Sequence, residues 1–70
     1  MKIKVNGEIK ELDTAANPPT LAWVIEQLGH HPRLVVVEFN GTILTPSHWD
    51  DQRVQDGDNL EIVTIVGGGS

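Results

Sequence analysis

The sequence closes on Leu60-Glu61-Ile62-Val63-Thr64-Ile65-Val66 and then Gly67-Gly68-Gly69-Ser70, which brings its chemistry to one group, the carboxylate at the end. A glycine run can enter a channel too narrow for any Cβ and can adopt dihedrals closed to other residues. Fully extended, Gly67 to Gly69 would reach on the order of 10 Å. Such an end suits a partner enzyme that must bring a protein carboxylate in line with a nucleotide. A carboxylate is a poor electrophile, and conversion to an acyl-adenylate supplies a leaving group that sulfide or a thiolate can displace. The catalytic groups for that step would belong to the partner. The same composition also fits a frayed end or an appended flexible linker.

Nothing else in the chain offers a competing active site. There is no cysteine, which removes disulfides, thiolate metal sites and thiol nucleophiles. His30-His31 lie in a turn with no third ligand at a recognisable spacing, so no metal site is expected. Asp56-Gly57-Asp58 lacks the ligand spacing and closing glutamate of a calcium loop and reads as a turn. Asp50 and Asp51 read as turn and solubilising residues. No acid–base pair, nucleophile–base pair or phosphate loop is visible, so no catalytic residue is assigned.

With 70 residues and a net charge of −5, the chain makes one small domain with one thin core and no room for an enclosed active site. The acidic balance argues against nucleic-acid binding, which needs a basic footprint. No apolar run is long enough for a bilayer span, and Lys2-Ile3-Lys4-Val5-Asn6 does not resemble a signal peptide. A cytoplasmic protein, monomeric on its own, is expected.

The elements that must carry the glycine end follow from pattern. Lys2 to Val5 alternates as a first strand, and Asn6-Gly7 signals a type I′ hairpin. Glu8 to Asp13 returns, with Ile9 and Leu12 at odd spacing, so a bulge or an early end is expected. After a loop over Asp13 to Pro19, Thr20 is the candidate N-cap of a short helix. Leu21, Val24, Ile25 and Leu28 give its buried stripe, and Gly29 its C′ residue. Trp23 points nearly opposite that stripe and is expected to pack on a nearby loop.

Arg33 to Phe39 reads as a strand with both faces at least partly covered. Asn40-Gly41 repeats the hairpin signal before a short strand over Thr42 to Thr45. A single 3₁₀ or helical turn follows from Pro46, with Trp49 and Val54 as core anchors. The last strand, bounded by Asp56-Gly57-Asp58-Asn59, should bury Leu60 and Ile62 and turn Glu61 and Val63 outward. Val63 with Ile65 would then form an apolar partner surface. Pairing the last strand parallel to the first yields an α+β ubiquitin-like β-grasp, a mixed sheet of four or five strands curled around one helix. The expected division is residues 1–66 as the β-grasp domain and 67–70 as a flexible glycine tail.

In this order and length, Ile3-Lys4-Val5-Asn6-Gly7, Thr20-Leu21, Val36-Val37-Glu38-Phe39-Asn40-Gly41, Trp49, Val54-Gln55-Asp56-Gly57-Asp58 and the strand-to-glycine ending resemble the ThiS sulfur carriers of thiamine biosynthesis. The resemblance implies a carrier, not an enzyme, with no cofactor of its own. Its terminal glycine, Gly68 or Gly69, would be adenylated by an E1-like, ATP-using adenylyltransferase (ThiF) and converted to a thiocarboxylate. The sulfur would pass to thiazole synthase (ThiG), with Val66, Gly67, Gly68 and Gly69 entering the partner's active site. The family normally ends at a diglycine, and here Gly69-Ser70 follow Gly67-Gly68, so trimming is implied. MoaD, the related molybdopterin-type carrier, shares the fold and tail chemistry but is usually longer. A ubiquitin-like modifier joined to lysines and an interaction module with an inert tail remain as rival readings.

Overall fold

A computed structural model describes residues 1–13 and 19–65 of the chain. Five strands form one mixed sheet in the order β2-β1-β5-β3-β4. They are β1 (Lys2–Val5), β2 (Glu8–Glu11), β3 (Val35–Phe39), β4 (Thr42–Leu44) and β5 (Asn59–Thr64). β5 is central, parallel to β1 and antiparallel to β3. A helix, α1 (Leu21–Gln27), supplies the second layer, and 3₁₀ turns span Pro32–Leu34 and Pro46–His48. The architecture is the expected ubiquitin-like β-grasp. Among the described residues no helix is long and apolar enough to cross a membrane.

Alternation places the core. Ile3 and Val5, Val35 and Val37, and Leu60 and Ile62 turn to one face of the sheet, where Leu21, Val24 and Ile25 of α1 meet them. Trp49 and Val54 close the remaining gap, each 2% exposed. The Trp49 indole N–H donates to the Leu44 carbonyl at 2.9 Å, which satisfies the polar handle of a buried tryptophan.

Both Asn-Gly turns have positive φ at both central residues: 51° and 85° at Asn6 and Gly7, 50° and 90° at Asn40 and Gly41. That is the type I′ requirement, and it sets the register of both hairpins. β2 ends at Glu11 rather than Asp13, without a bulge, because β1 runs out as its partner. Met1 and Leu12 close the ladder instead, Leu12 N–H to Met1 carbonyl at 2.8 Å and the Met1 ammonium to the Leu12 carbonyl at 2.9 Å. Ile9 and Leu12 consequently face opposite ways, Ile9 exposed and Leu12 against the core.

A seven-residue helix is too short to hold itself in water, so its ends depend on neighbours. Leu21 and Ala22 donate their free N–H groups to the carbonyls of Gln52 and Trp49. Trp23 donates to the Thr20 hydroxyl at 3.1 Å, the expected N-cap. At the other end Gly29, with φ 84°, donates to Glu26 and His30 donates to Ile25, the paired bonds of a Schellman motif.

One strand boundary differs from the pattern reading. Arg33 and Leu34 belong to the 3₁₀ turn, and β3 begins at Val35. Pro32 sits at the start of that turn and the His31 Nδ1 accepts from the Arg33 N–H at 3.1 Å, so local capping overrides the apolar run. The expected partial cover of both faces of this strand is uneven. Val36 is 38% exposed and Leu34 52%, because α1 lies on the opposite face.

The packing sets two expected outcomes. Leu21→Ala should lower unfolding free energy by about 2–5 kcal/mol, since the side chain is fully buried between α1 and the sheet. Thr20→Ala should cost about 1 kcal/mol through loss of one cap bond. Urea titration followed by tryptophan fluorescence measures both, and equal effects would count against the assignment.

Candidate functional site

The candidate site grows from the way β5 is held. On one flank its register with β1 covers Lys4↔Asn59 and Val5↔Leu60. On the other, β3 pairs with it from Phe39↔Leu60 to Val35↔Thr64, and the Ile65 N–H continues to the Leu34 carbonyl at 2.6 Å. Residues 66–70 therefore follow a strand in the middle of the sheet. β5 itself ends where the Asn6-Gly7 turn and the Pro32–Leu34 turn stand. The expected site residues Val66, Gly67, Gly68 and Gly69, and the expected flexible tail, lie outside the described residues.

The face of the sheet away from α1 carries the rest of the site. Leu60 and Ile62 are buried, while Glu61 and Val63 are exposed, as the alternation requires. Val63 is 62% exposed and Ile65 46%. Val36 stands directly across the β3–β5 ladder from Val63, and Leu34 is the backbone partner of Ile65. Four exposed apolar residues thus gather at the end of the sheet from which residues 66–70 depart. Leu34 and Val36 were not among the residues expected there. Reading their run as a strand at least partly covered on both faces did not single them out, although pairing β3 to β5 by alternation would have put Val36 beside Val63.

One rung further from that end, Glu38 and Glu61 are direct cross-strand neighbours on the same outer face. Among the described residues neither joins an ion pair. Like charges in this relation are destabilising by roughly 0.2–1 kcal/mol in an isolated sheet. The surface beside the exit is therefore apolar with an acidic rung next to it.

Other residues singled out by the sequence have local work. Asp56 Oδ1 accepts from the Lys2 N–H and Asp58 Oδ2 from the Gln55 N–H, both at 2.7 Å, so these carboxylates close the turn before β5. His31 caps a turn, and no group of three or more possible metal ligands comes together among the described residues. Trp23 is half-buried against the core and, with His30, His31 and Pro32, lines an open groove beside the C-terminal end of α1.

Comparison with known proteins agrees with this architecture. The crystal structure of the thiamine biosynthesis protein ThiS from Geobacter metallireducens superposes with a TM-score of 0.79 at 30% identity, covering 99% of this chain and 100% of that one. The solution structure of a thiamine biosynthesis protein from the same organism gives 0.79 at 31% identity, over 100% of this chain and 90% of that one. In sequence, a thiazole synthase of Paramagnetospirillum magneticum is 39% identical over the whole chain, which spans only 21% of that protein's length. The uncharacterized protein ycf40 of Porphyra purpurea is 30% identical over 99% of this chain and 93% of its own. The ThiS family model matches residues 3–69. The chain belongs to the ThiS family.

Proposed function

We propose that the chain is the sulfur carrier of a thiamine-type thiazole synthesis, a protein cosubstrate and not a catalyst. The observation that carries the reading is the central strand β5, followed in the sequence after Ile65 and Val66 by Gly67-Gly68-Gly69, in a member of this family. An E1-like partner binds ATP, and the carboxylate of the terminal glycine, Gly68 or Gly69 after trimming, attacks the α-phosphorus. Pyrophosphate leaves and an acyl-adenylate forms. Hydrosulfide then attacks the acyl carbon and AMP departs, leaving a thiocarboxylate. The chain itself holds no nucleotide. ATP is the partner's.

The second partner in this reading is a thiazole synthase, to which the thiocarboxylate sulfur is passed. A thiazole synthase that contains a segment 39% identical to this whole chain supports that pairing. Leu34, Val36, Val63 and Ile65 form the docking patch, and the acidic rung Glu38–Glu61 favours an activating enzyme with a basic residue at the matching place. Trimming of Ser70 precedes activation, because its side chain would meet a channel shaped for glycine. The molybdopterin-type carrier, the protein modifier and the inert-tail module remain outcomes of the tests below.

Val63→Lys should leave the fold intact, since the side chain is 62% exposed, yet weaken binding to the activating enzyme by about tenfold or more. Calorimetric titration with that enzyme, beside a thermal melt, separates the two effects. The decisive test is the intact mass of the protein from native cells. Loss of Ser70, or of Gly69-Ser70, with one oxygen exchanged for sulfur is the expected result. An unaltered mass in cells making thiamine would favour the inert module. Attachment to other chains would favour the modifier, and thiocarboxylate that supports only molybdopterin formation the other carrier class.

A further inference from the structure

The two Asn-Gly turns share a property that turn formation does not require: both asparagine side chains reach β5. The Asn6 Oδ1 accepts from the Ile62 N–H at 2.7 Å, and its Nδ2 donates to the Ile62 carbonyl at 3.0 Å. A primary amide carries an N–H on the same edge as its carbonyl oxygen, so it can pair with both polar groups of one strand residue. Backbone pairing between β1 and β5 stops just before this point. The Asn6 N–H reaches the Leu60 carbonyl at 2.9 Å, and the chain then turns away with φ 51°. The Asn6 amide supplies the next rung in place of the backbone that has left. Ile62 is thereby held on both flanks, and beyond it the β3 side alone continues the register, through Thr64.

We propose that Asn6 is a positioning residue whose amide fixes where β5 ceases to be held from both sides, and so the place and direction from which the glycine-rich residues leave the sheet. Its consequence for activation rests on the carrier reading above; its effect on β5 does not. Asparagine meets both demands at once. It tolerates the left-handed backbone of the turn better than most residues, and it carries the amide. Glycine would keep the turn and remove the rung. Aspartate would keep the acceptor for the Ile62 N–H but set a second carboxylate oxygen against the Ile62 carbonyl.

Asn40 provides the internal control. With φ 50° its Oδ1 accepts from the Asn59 N–H at 2.9 Å and its Nδ2 donates to Asp58 Oδ1 at 3.1 Å. It holds the opposite end of the same strand, far from the exit. The experiment compares the parent chain, Asn6→Gly, Asn6→Asp and Asn40→Gly, all ending at the same glycine. Amide hydrogen exchange is read at Ile62 and Ile65 against Val37, which reports global opening. The E1-like enzyme, with ATP, supplies a dissociation constant and a rate of pyrophosphate release at saturating carrier.

Asn6→Gly and Asn6→Asp should each speed exchange at Ile62 and Ile65 by about tenfold beyond any change shared with Val37. They should cut kcat by about tenfold while the dissociation constant stays within about twofold, because docking is intact and only the placement of the carboxylate suffers. Asn40→Gly should do neither. Equal effects of the two glycine variants, or exchange at Ile62 that rises only in step with Val37, would overturn the proposal. A parent chain that the activating enzyme neither binds nor adenylates would remove the carrier reading instead, and the exchange comparison would still decide whether Asn6 fixes the exit.

Discussion

The structure depends on one constraint: a single helix of seven residues must cover one face of a five-stranded sheet. Among the described residues no further helix lies on the other face. Every strand must therefore alternate in phase, with Ile3 and Val5, Val35 and Val37, and Leu60 and Ile62 all turned toward α1. A slip of one residue in any pair would exchange the buried set for the exposed one, and the hairpin turns at Asn6-Gly7 and Asn40-Gly41 prevent it. The helix is itself too short to persist alone. Its first N–H groups are satisfied by the segment around Trp49 to Gln52, so that irregular stretch is as much a part of the core as the sheet.

From the same constraint follows the placing of the last strand. β5 sits between β1 and β3, and its inward Leu60 and Ile62 share the core with Leu21, Val24 and Ile25 of α1. Running parallel to β1, it delivers the chain to the end where the first hairpin turns. Running antiparallel to β3, it meets the start of β3, where the Leu34 carbonyl of the Pro32–Leu34 turn accepts from the Ile65 N–H. The exit is thus framed by two turns and anchored in the most deeply held strand.

Much of this was legible because the signals are local. The Asn-Gly pairs, Thr20 before an amphipathic stripe, Gly29 after it, and the alternation in β5 each act through neighbours a few residues away. What escaped the sequence is long-range or competitive. Arg33 and Leu34 look like strand residues, but Pro32 and the His31 imidazole hold them in a turn. Leu34 and Val36 look like core, and only the fact that one face lacks a layer reveals them as surface. The asparagine amides could not be read at all, since Asn6 and Ile62 are separated by 56 positions. The residues expected to do the chemistry, Val66 to Gly69, lie outside the described residues, so the candidate site is legible there as sequence only.

The outer face shows where the demands of folding and of function part. Lys2, Lys4, Glu11, Glu38 and Glu61 occupy outward positions there as alternation requires, and Ile9 and Ile43 stand singly on different strands, which is ordinary for a protein surface. The rule fails at one end, where Leu34, Val36, Val63 and Ile65 gather beside the departure of β5. β propensity alone explains valine in a strand but not why the polar alternative is avoided at these neighbouring positions and used on the rungs beyond. Local inconsistency of this kind concentrates at functional sites, because folding gains nothing from an apolar side chain left in water. A partner surface that covers the patch would recover that hydrophobic free energy and, in the same act, aim the residues that follow Ile65.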